Sequence, residues 1–284
     1  RIISEYAENI KYKLQCIHIP KTIDNDLVCN DHTPGFGSAA KYVAQLFSGI
    51  NYDVKSLPGV YLGIVMGRHA GFLTASSSLL KKENDDGPNL IYIPESPFEI
   101  NTFLNQVKSI FNKCGRCVIA ISEGIQDKEK KLISQKIIKK TEYDSHGNIQ
   151  LSGTGSLGDY LSGEIKEKLN LPRVRADTLG YPQRCFLGST SEIDQKEALK
   201  IGIFAAKYSN KNNTSFSAGI LERKNFTNPY KTTFIANPLE KVAGKTKIMP
   251  KSFYNVKKSF VTNLFINYSL PLIGKKILKT KSII

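Results

Sequence analysis

No apolar run in these 284 residues is long enough to cross a bilayer. The longest, such as GVYLGIVMG at 59–67, falls far short of the about 20 residues a spanning helix needs, so no membrane segment is expected. A charged-then-apolar leader is also absent, and the sequence opens at Arg1. No secretion signal is therefore expected, and the chain is read as a piece of a longer one. Cysteine is sparse and odd in number: Cys16, Cys29, Cys114, Cys117 and Cys185. Reduced thiols and a cytoplasmic setting follow as expectations. Cys114 and Cys117 form a CxxC before the apolar VIAI. Without a second pair it closes no zinc site, so packing at a strand start is expected of it. The net charge of +15 comes mostly from scattered lysine, with no basic block interleaved with aromatics. A solvated surface is expected of it, and no nucleic-acid partner.

What is present is a length that can bury a large core, more naturally in two lobes than one. Strands and helices alternate. LQCIHI (14–19) reads as a buried strand ending at Pro20; Thr33 and Pro34 read as the start of a helix whose buried face carries Phe36, Ala39, Ala40, Val43, Phe47 and Ile50. Strands are expected at 60–67, 89–95, 116–124, 173–179 and 217–223, and helices at 71–80, 103–115, 157–170 and 191–208. A charged, turn-rich surface excursion is expected over 126–155, and a short helix with an extended tail near the end. The alternation implies an α/β fold with parallel pairing.

Polar clusters stand where buried strands end: PKTIDND (20–26), MGRHAG (66–71), SEG (122–124) and GYPQR (180–184). The carboxyl edge of an open α/β sheet is where ligands bind. Each cluster taken singly also reads as an ordinary turn. Together they bring carboxylates, arginines and bare backbone to one edge. Arginine is scarce beside lysine here, and Arg68, Arg175 and Arg184 fall in or beside the clusters. Its planar fork suits phosphate. Such a set fits a phosphorylated substrate, with a paired-acid turn able to supply both a base and a metal ligand.

In their order, PKTIDND, MGRHAG, SEG and LGYPQR resemble the phosphofructokinase family from about residue 12 to PLIG near the end. The resemblance implies a two-lobed, Rossmann-like three-layer fold and a phosphotransferase acting in glycolysis. Its reaction would move a phosphoryl group, with Mg2+, to the 1-hydroxyl of fructose 6-phosphate. Asp24 corresponds to the base that takes the hydroxyl proton, Asp26 to the acid that helps hold the metal and orient Asp24, and Thr22 to the hydroxyl touching the moving group. Met66, Gly67 and Arg68 match the sugar-phosphate loop, Arg68 also lying near the transferred group. Glu123 matches the residue that grips sugar hydroxyls, and Tyr181 and Arg184 the pair holding the 6-phosphate. Arg175 matches an arginine lent across a subunit interface, which implies a homo-oligomer, dimer or tetramer.

Two departures stand beside the match. Gly59 lies where allosteric members carry another cross-interface arginine, and nothing in residues 1–19 resembles the family's glycine-rich donor loop. Lys21, DHTPGFGSAAKY and YPQRC resemble the pyrophosphate-using branch, so pyrophosphate is the expected donor. An ATP-dependent enzyme and a donor-deficient subunit that binds sugar phosphate stay open. On this view residues 1–35 and 184–235 belong to a donor-binding lobe and 36–183 to a fructose-6-phosphate-binding lobe. Residues 236–284 form a C-terminal segment.

Overall fold

The computed structural model describes residues 1–137, 155–171, 173–226 and 229–277. Helix α1 (Ile2–Asn9) precedes strand β1 (Ile17–His18), and helix α2 (Phe36–Ser56) leads into strand β2 (Val60–Val65). A short helix α3 (Phe72–Ala75) runs into a 3-10 turn, followed by β3 (Leu90–Tyr92), α4 (Ile100–Cys114) and β4 (Cys117–Ser122). Then come α5 (Ile133–Ile137), α6 (Ser156–Leu169), β5 (Val174–Thr178), α7 (Pro182–Cys185) and α8 (Glu192–Ser209). The chain continues with β6 (Phe216–Ile220), β7 (Phe234–Asn237), α9 (Leu239–Val242), β8 (Tyr254–Asn255), β9 (Phe260–Val261) and α10 (Asn263–Ser269).

The class is α/β, as expected. One sheet has the order β3-β4-β2-β5 and is parallel throughout. Strand β4 is buried along its whole length and β2 nearly so, which is why both read as continuous apolar runs instead of alternating ones. The amphipathic face of α2 packs Phe36, Ala40, Val43 and Phe47 into the core. Phe47 sits so tightly over β2 that a side-chain carbon at Gly63 would lie 2.5 Å from its ring.

A second sheet joins β1 to β6 in parallel and β6 to β7 antiparallel. The strand expected over 14–19 is corrected here. Only Ile17 and His18 pair, and Leu14, Ile17 and Ile19 are exposed, because β1 is hydrogen-bonded along one side only and forms an edge among the described residues. The boundary expected between 235 and 236 falls inside β7.

The start of α2 also differs from expectation. Thr33 does not cap it; its hydroxyl donates to the Thr22 carbonyl at 2.9 Å. The helix opens after Gly35, at φ +103°, and its first N–H groups are taken by Asp194 from α8: Gly35 N–H at 2.8 Å and Ser38 N–H at 3.0 Å. A carboxylate there both satisfies orphan donors and complements the helix dipole. Cys117 is buried at the first residue of β4, where burial pushes its thiol pKa up. The excursion expected over 126–155 lies partly outside the described residues. Within them it makes a bridge between Gln126 and Leu132 and the short α5. The tail expected after the last helix lies outside them beyond Ile277. None of the described helices is long and apolar enough to cross a membrane.

Candidate active site

Sheet register brings three of the polar clusters together. Val65 pairs with Ser122, and Ile64 pairs with both Ile121 and Thr178. The residues leaving β2, β4 and β5 therefore emerge side by side: Met66-Gly67-Arg68, Glu123-Gly124 and Leu179-Gly180.

The loops are stitched to one another through backbone groups. Gly67 N–H donates to Glu123 Oε1 at 3.4 Å, and Ser122 Oγ donates to the Gly67 carbonyl at 2.6 Å while accepting Gly124 N–H at 3.1 Å. Gly67 takes φ +133°, a conformation that side chains rarely adopt. At Gly124 a side-chain carbon would lie 2.1 Å from the Arg68 carbonyl oxygen, so only glycine lets these loops touch. Gln183, buried on α7, accepts Met66 N–H at 3.1 Å and donates to the Gly180 carbonyl at 3.0 Å. It ties the third loop to the first.

The TIDND turn arrives from the other sheet. Thr22 pairs with Gly35, and its Oγ1 accepts Asp24 N–H at 3.2 Å. Asp24 Oδ1 is shut from solvent and has no hydrogen-bond partner among the described residues. Burial, and then the neighbouring Asp26 carboxylate, raise the Asp24 pKa to about 6, against the pull of Arg184, Arg68 and Lys21. Its surroundings thus lift it above the unperturbed value near 4. Glu123 is pushed up to about 7, first by burial and then by Asp24, against the Gly67 N–H and Arg68. Asp24 acts on Glu123, Arg68 acts on both carboxyls, and Arg184 acts on Asp24, which places Glu123, Arg68 and Arg184 within electrostatic reach of Asp24.

The rest of the expected set is placed more loosely. Lys21 and Arg184 line one cleft of about 240 Å3 with Gly35, Ser38 and Thr190. The Arg184 guanidinium lies 5.4 Å from the centre of the Tyr181 ring, and Tyr181 is 70% exposed. Arg175 is not brought into the group. It sits exposed on β5, the edge of its sheet, and its guanidinium bonds back to the Val174 carbonyl at 3.4 Å. Gly59 abuts the chain before that strand, where a side-chain carbon would meet the Arg173 carbonyl oxygen at 2.8 Å.

Sequence reasoning passed over Gln183, Ser122 and Glu95. Glu95 Oε1 accepts Gly71 N–H at 3.0 Å and Met249 N–H at 2.7 Å, and so braces the far end of the MGRHAG loop. Gln183 and Ser122 stood inside the quoted motifs, and that position at strand ends was the available signal. Glu95 had none, because its partners lie far along the chain.

The family profile described as Phosphofructokinase matches residues 2–209. The chain belongs to the phosphofructokinase family. It is 52% identical over 275 residues to the pyrophosphate–fructose 6-phosphate 1-phosphotransferase of Rhodospirillum rubrum, covering 97% of this chain and 67% of that one. The corresponding protein of Xanthomonas campestris is 35% identical over 275 residues, covering 95% and 64%. A solved pyrophosphate-dependent phosphofructokinase from Marinobacter aquaeolei superposes with a TM-score of 0.81 at 27% identity, covering 99% of this chain and 66% of that chain. The chain thus spans about two thirds of the length of these family members.

Proposed function

We propose that this chain carries the acceptor site of a phosphotransferase that moves a phosphoryl group from pyrophosphate to the 1-hydroxyl of fructose 6-phosphate. One observation supports this above the others. Arg68 and Arg184 both act electrostatically on Asp24, and Asp24 and Arg68 on Glu123, so the four converge where the loops leaving the strands meet the TIDND turn. Asp24, with a buried oxygen that has no partner among the described residues, is the base that accepts the proton from the attacking hydroxyl. Arg68 stabilises charge on the group in transfer, and Glu123 holds sugar hydroxyls through a carboxyl that changes protonation near neutrality. Arg184 and Tyr181 receive the 6-phosphate. Lys21, on the rim of the same cleft as Arg184, neutralises the donor's leaving phosphate, Thr22 faces the moving group, and Met66 and Gly67 present backbone to the sugar phosphate.

A hard divalent cation fits the acid pair. Mg2+ needs only one or two carboxylates, the remaining positions being filled by water and substrate phosphates. The orphaned Asp24 Oδ1 beside Asp26 offers that donor set. Asp26 would hold the ion, which supplies charge neutralisation at the phosphates when bound. Arg175, exposed on an edge strand, is the residue offered to a second subunit, and the working unit is a homo-oligomer.

The test is formation of fructose 1,6-bisphosphate by the full-length protein with Mg2+ and either pyrophosphate or ATP. Faster turnover with pyrophosphate is expected. Faster turnover with ATP would reassign the donor. Binding of fructose 6-phosphate without turnover from either donor would leave a sugar-phosphate-binding subunit.

A further inference from the structure

The acid pair is separated by Asn25, a residue to which no motif assigns work. It is fully buried and sits at φ +59°, in the left-handed region that only glycine and, at some cost, asparagine or aspartate visit readily. A residue in that region turns the chain, so it decides how the side chains on either side of it are aimed. Asn25 Nδ2 donates to the Tyr268 hydroxyl at 2.8 Å, and that hydroxyl donates to the Asp31 carbonyl at 2.5 Å. Tyr268 belongs to α10, far along the chain. Its phenol is buried and held neutral well above the ordinary pKa, so it serves as both acceptor and donor.

Its ring is locked in place. Phe72, Phe226, Phe253 and Phe265 surround it with ring centres 5.2 to 6.4 Å away. Arg223 lies 5.0 Å from its centre, donates to its carbonyl at 3.0 Å, and pairs with the Asp31 carboxylate at 2.8 Å. On the other side of Asn25, the Asp26 carbonyl accepts Lys247 N–H at 2.6 Å. The turn is thus gripped at Asn25 by a side chain and at Asp26 by backbone, both from the C-terminal part of the chain.

We propose that Tyr268 is a positioning residue for the acid pair: its hydroxyl, by holding Asn25 in the left-handed conformation, fixes the directions in which Asp24 and Asp26 face the acceptor. The proposal rests on the phosphoryl-transfer reading of the site, and it deepens that reading by naming a group outside every motif.

Tyr268→Phe removes the hydroxyl and keeps the ring. In the full-length protein kcat should fall by about 10- to 100-fold, the loss expected when a reacting group is displaced by about an ångström. KM for fructose 6-phosphate should stay within about twofold, since the sugar-phosphate contacts are elsewhere. Asn25→Gly keeps the backbone angle accessible and removes the other end of the same bond, so it should reproduce the loss even where Tyr268→Phe folds poorly. The double variant should be no worse than the weaker single variant, as non-additivity requires of partners in one interaction. A kcat within about twofold of the unaltered protein in either single variant would overturn the proposal, as would single losses that multiply in the double variant. A second readout does not depend on turnover. The Asn25 side-chain amide, observed by 15N NMR, should exchange slowly in the unaltered protein and shift and exchange quickly in Tyr268→Phe. If the unaltered protein transfers phosphate from neither donor, the functional reading fails on its own, and an Asn25 amide signal that does not respond to Tyr268→Phe would separately remove the positioning role.

Discussion

The two halves of the candidate site are built differently. On one side Gly67, Glu123 and Gly124 are locked between parallel strands, with Glu123 only 6% exposed and Gly124 in contact with Arg68 backbone. On the other, Tyr181 is 70% exposed, and Arg184 is exposed with it. The buried half fixes atoms and shifts pKa values; the open half presents charge to an anion that brings its own hydration. Position is costly to change on the first side and cheap on the second. If the difference is functional, variants on the buried side should act on kcat, and variants on the open side on KM.

The largest effect is expected at Asp24. Asp24→Asn removes the proposed base while keeping the shape, and kcat should fall by about 10²- to 10⁴-fold with KM for fructose 6-phosphate little changed. Because Asp24 also raises the Glu123 pKa, the same variant should move the Glu123 titration below about 7, a shift that NMR of the carboxyl carbon can follow. Turnover reduced less than about tenfold would end the assignment of Asp24 as base and erase the contrast between the two sides.

Arg184→Ala should come next, and it sharpens the comparison because this open-side residue reaches the buried side electrostatically. Loss of the proposed charge-assisted contact to the 6-phosphate should raise KM by about 10- to 100-fold. The pH profile carries the second effect. As the proposed base Asp24 would act only when ionised, and its pKa of about 6 means that kcat/KM should decline as pH falls through about 6. Arg184 holds that pKa down, so its removal moves the acid limb to higher pH. The limb belongs to the coupled Asp24–Glu123 pair, not to one residue. An unmoved limb in Arg184→Ala would show that the charge does not act on the base.

The order of buried strands was legible because β2 and β4 are covered on both faces and need unbroken apolar runs. The site was legible to the extent that it lies at strand ends: register alone brings Met66, Glu123 and Leu179 to neighbouring positions. What escaped is what depends on partners distant in sequence. Asp194 replaces Thr33 as the cap of α2 from 159 residues away, and Tyr268 reaches Asn25 across 243. Short-range patterns contain no trace of such pairs. The exposure of β1 escaped for a related reason, since LQCIHI is apolar whether or not neighbours cover it. The Asp24 pKa could not be read either, because burial is its largest cause and burial is a property of the whole fold.

The smallest effect is expected at Tyr181, where the open half is tested at its most solvated point. Its ring lies beside the Arg184 guanidinium, 5.4 Å centre to carbon, an exposed cation–π contact worth about 0.5–1 kcal/mol. Tyr181→Phe keeps the ring and that contact and removes only a hydroxyl already in water. KM for fructose 6-phosphate should rise by no more than about threefold with kcat unchanged, as befits a hydrogen bond traded against solvent. Tyr181→Ala, which also frees the arginine, should cost more, again in KM. A fall in kcat for Tyr181→Phe comparable to that of Asp24→Asn would mean that the hydroxyl enters the closed half of the site when substrate binds, and the division between a fixed side and an open side would hold only for the empty enzyme.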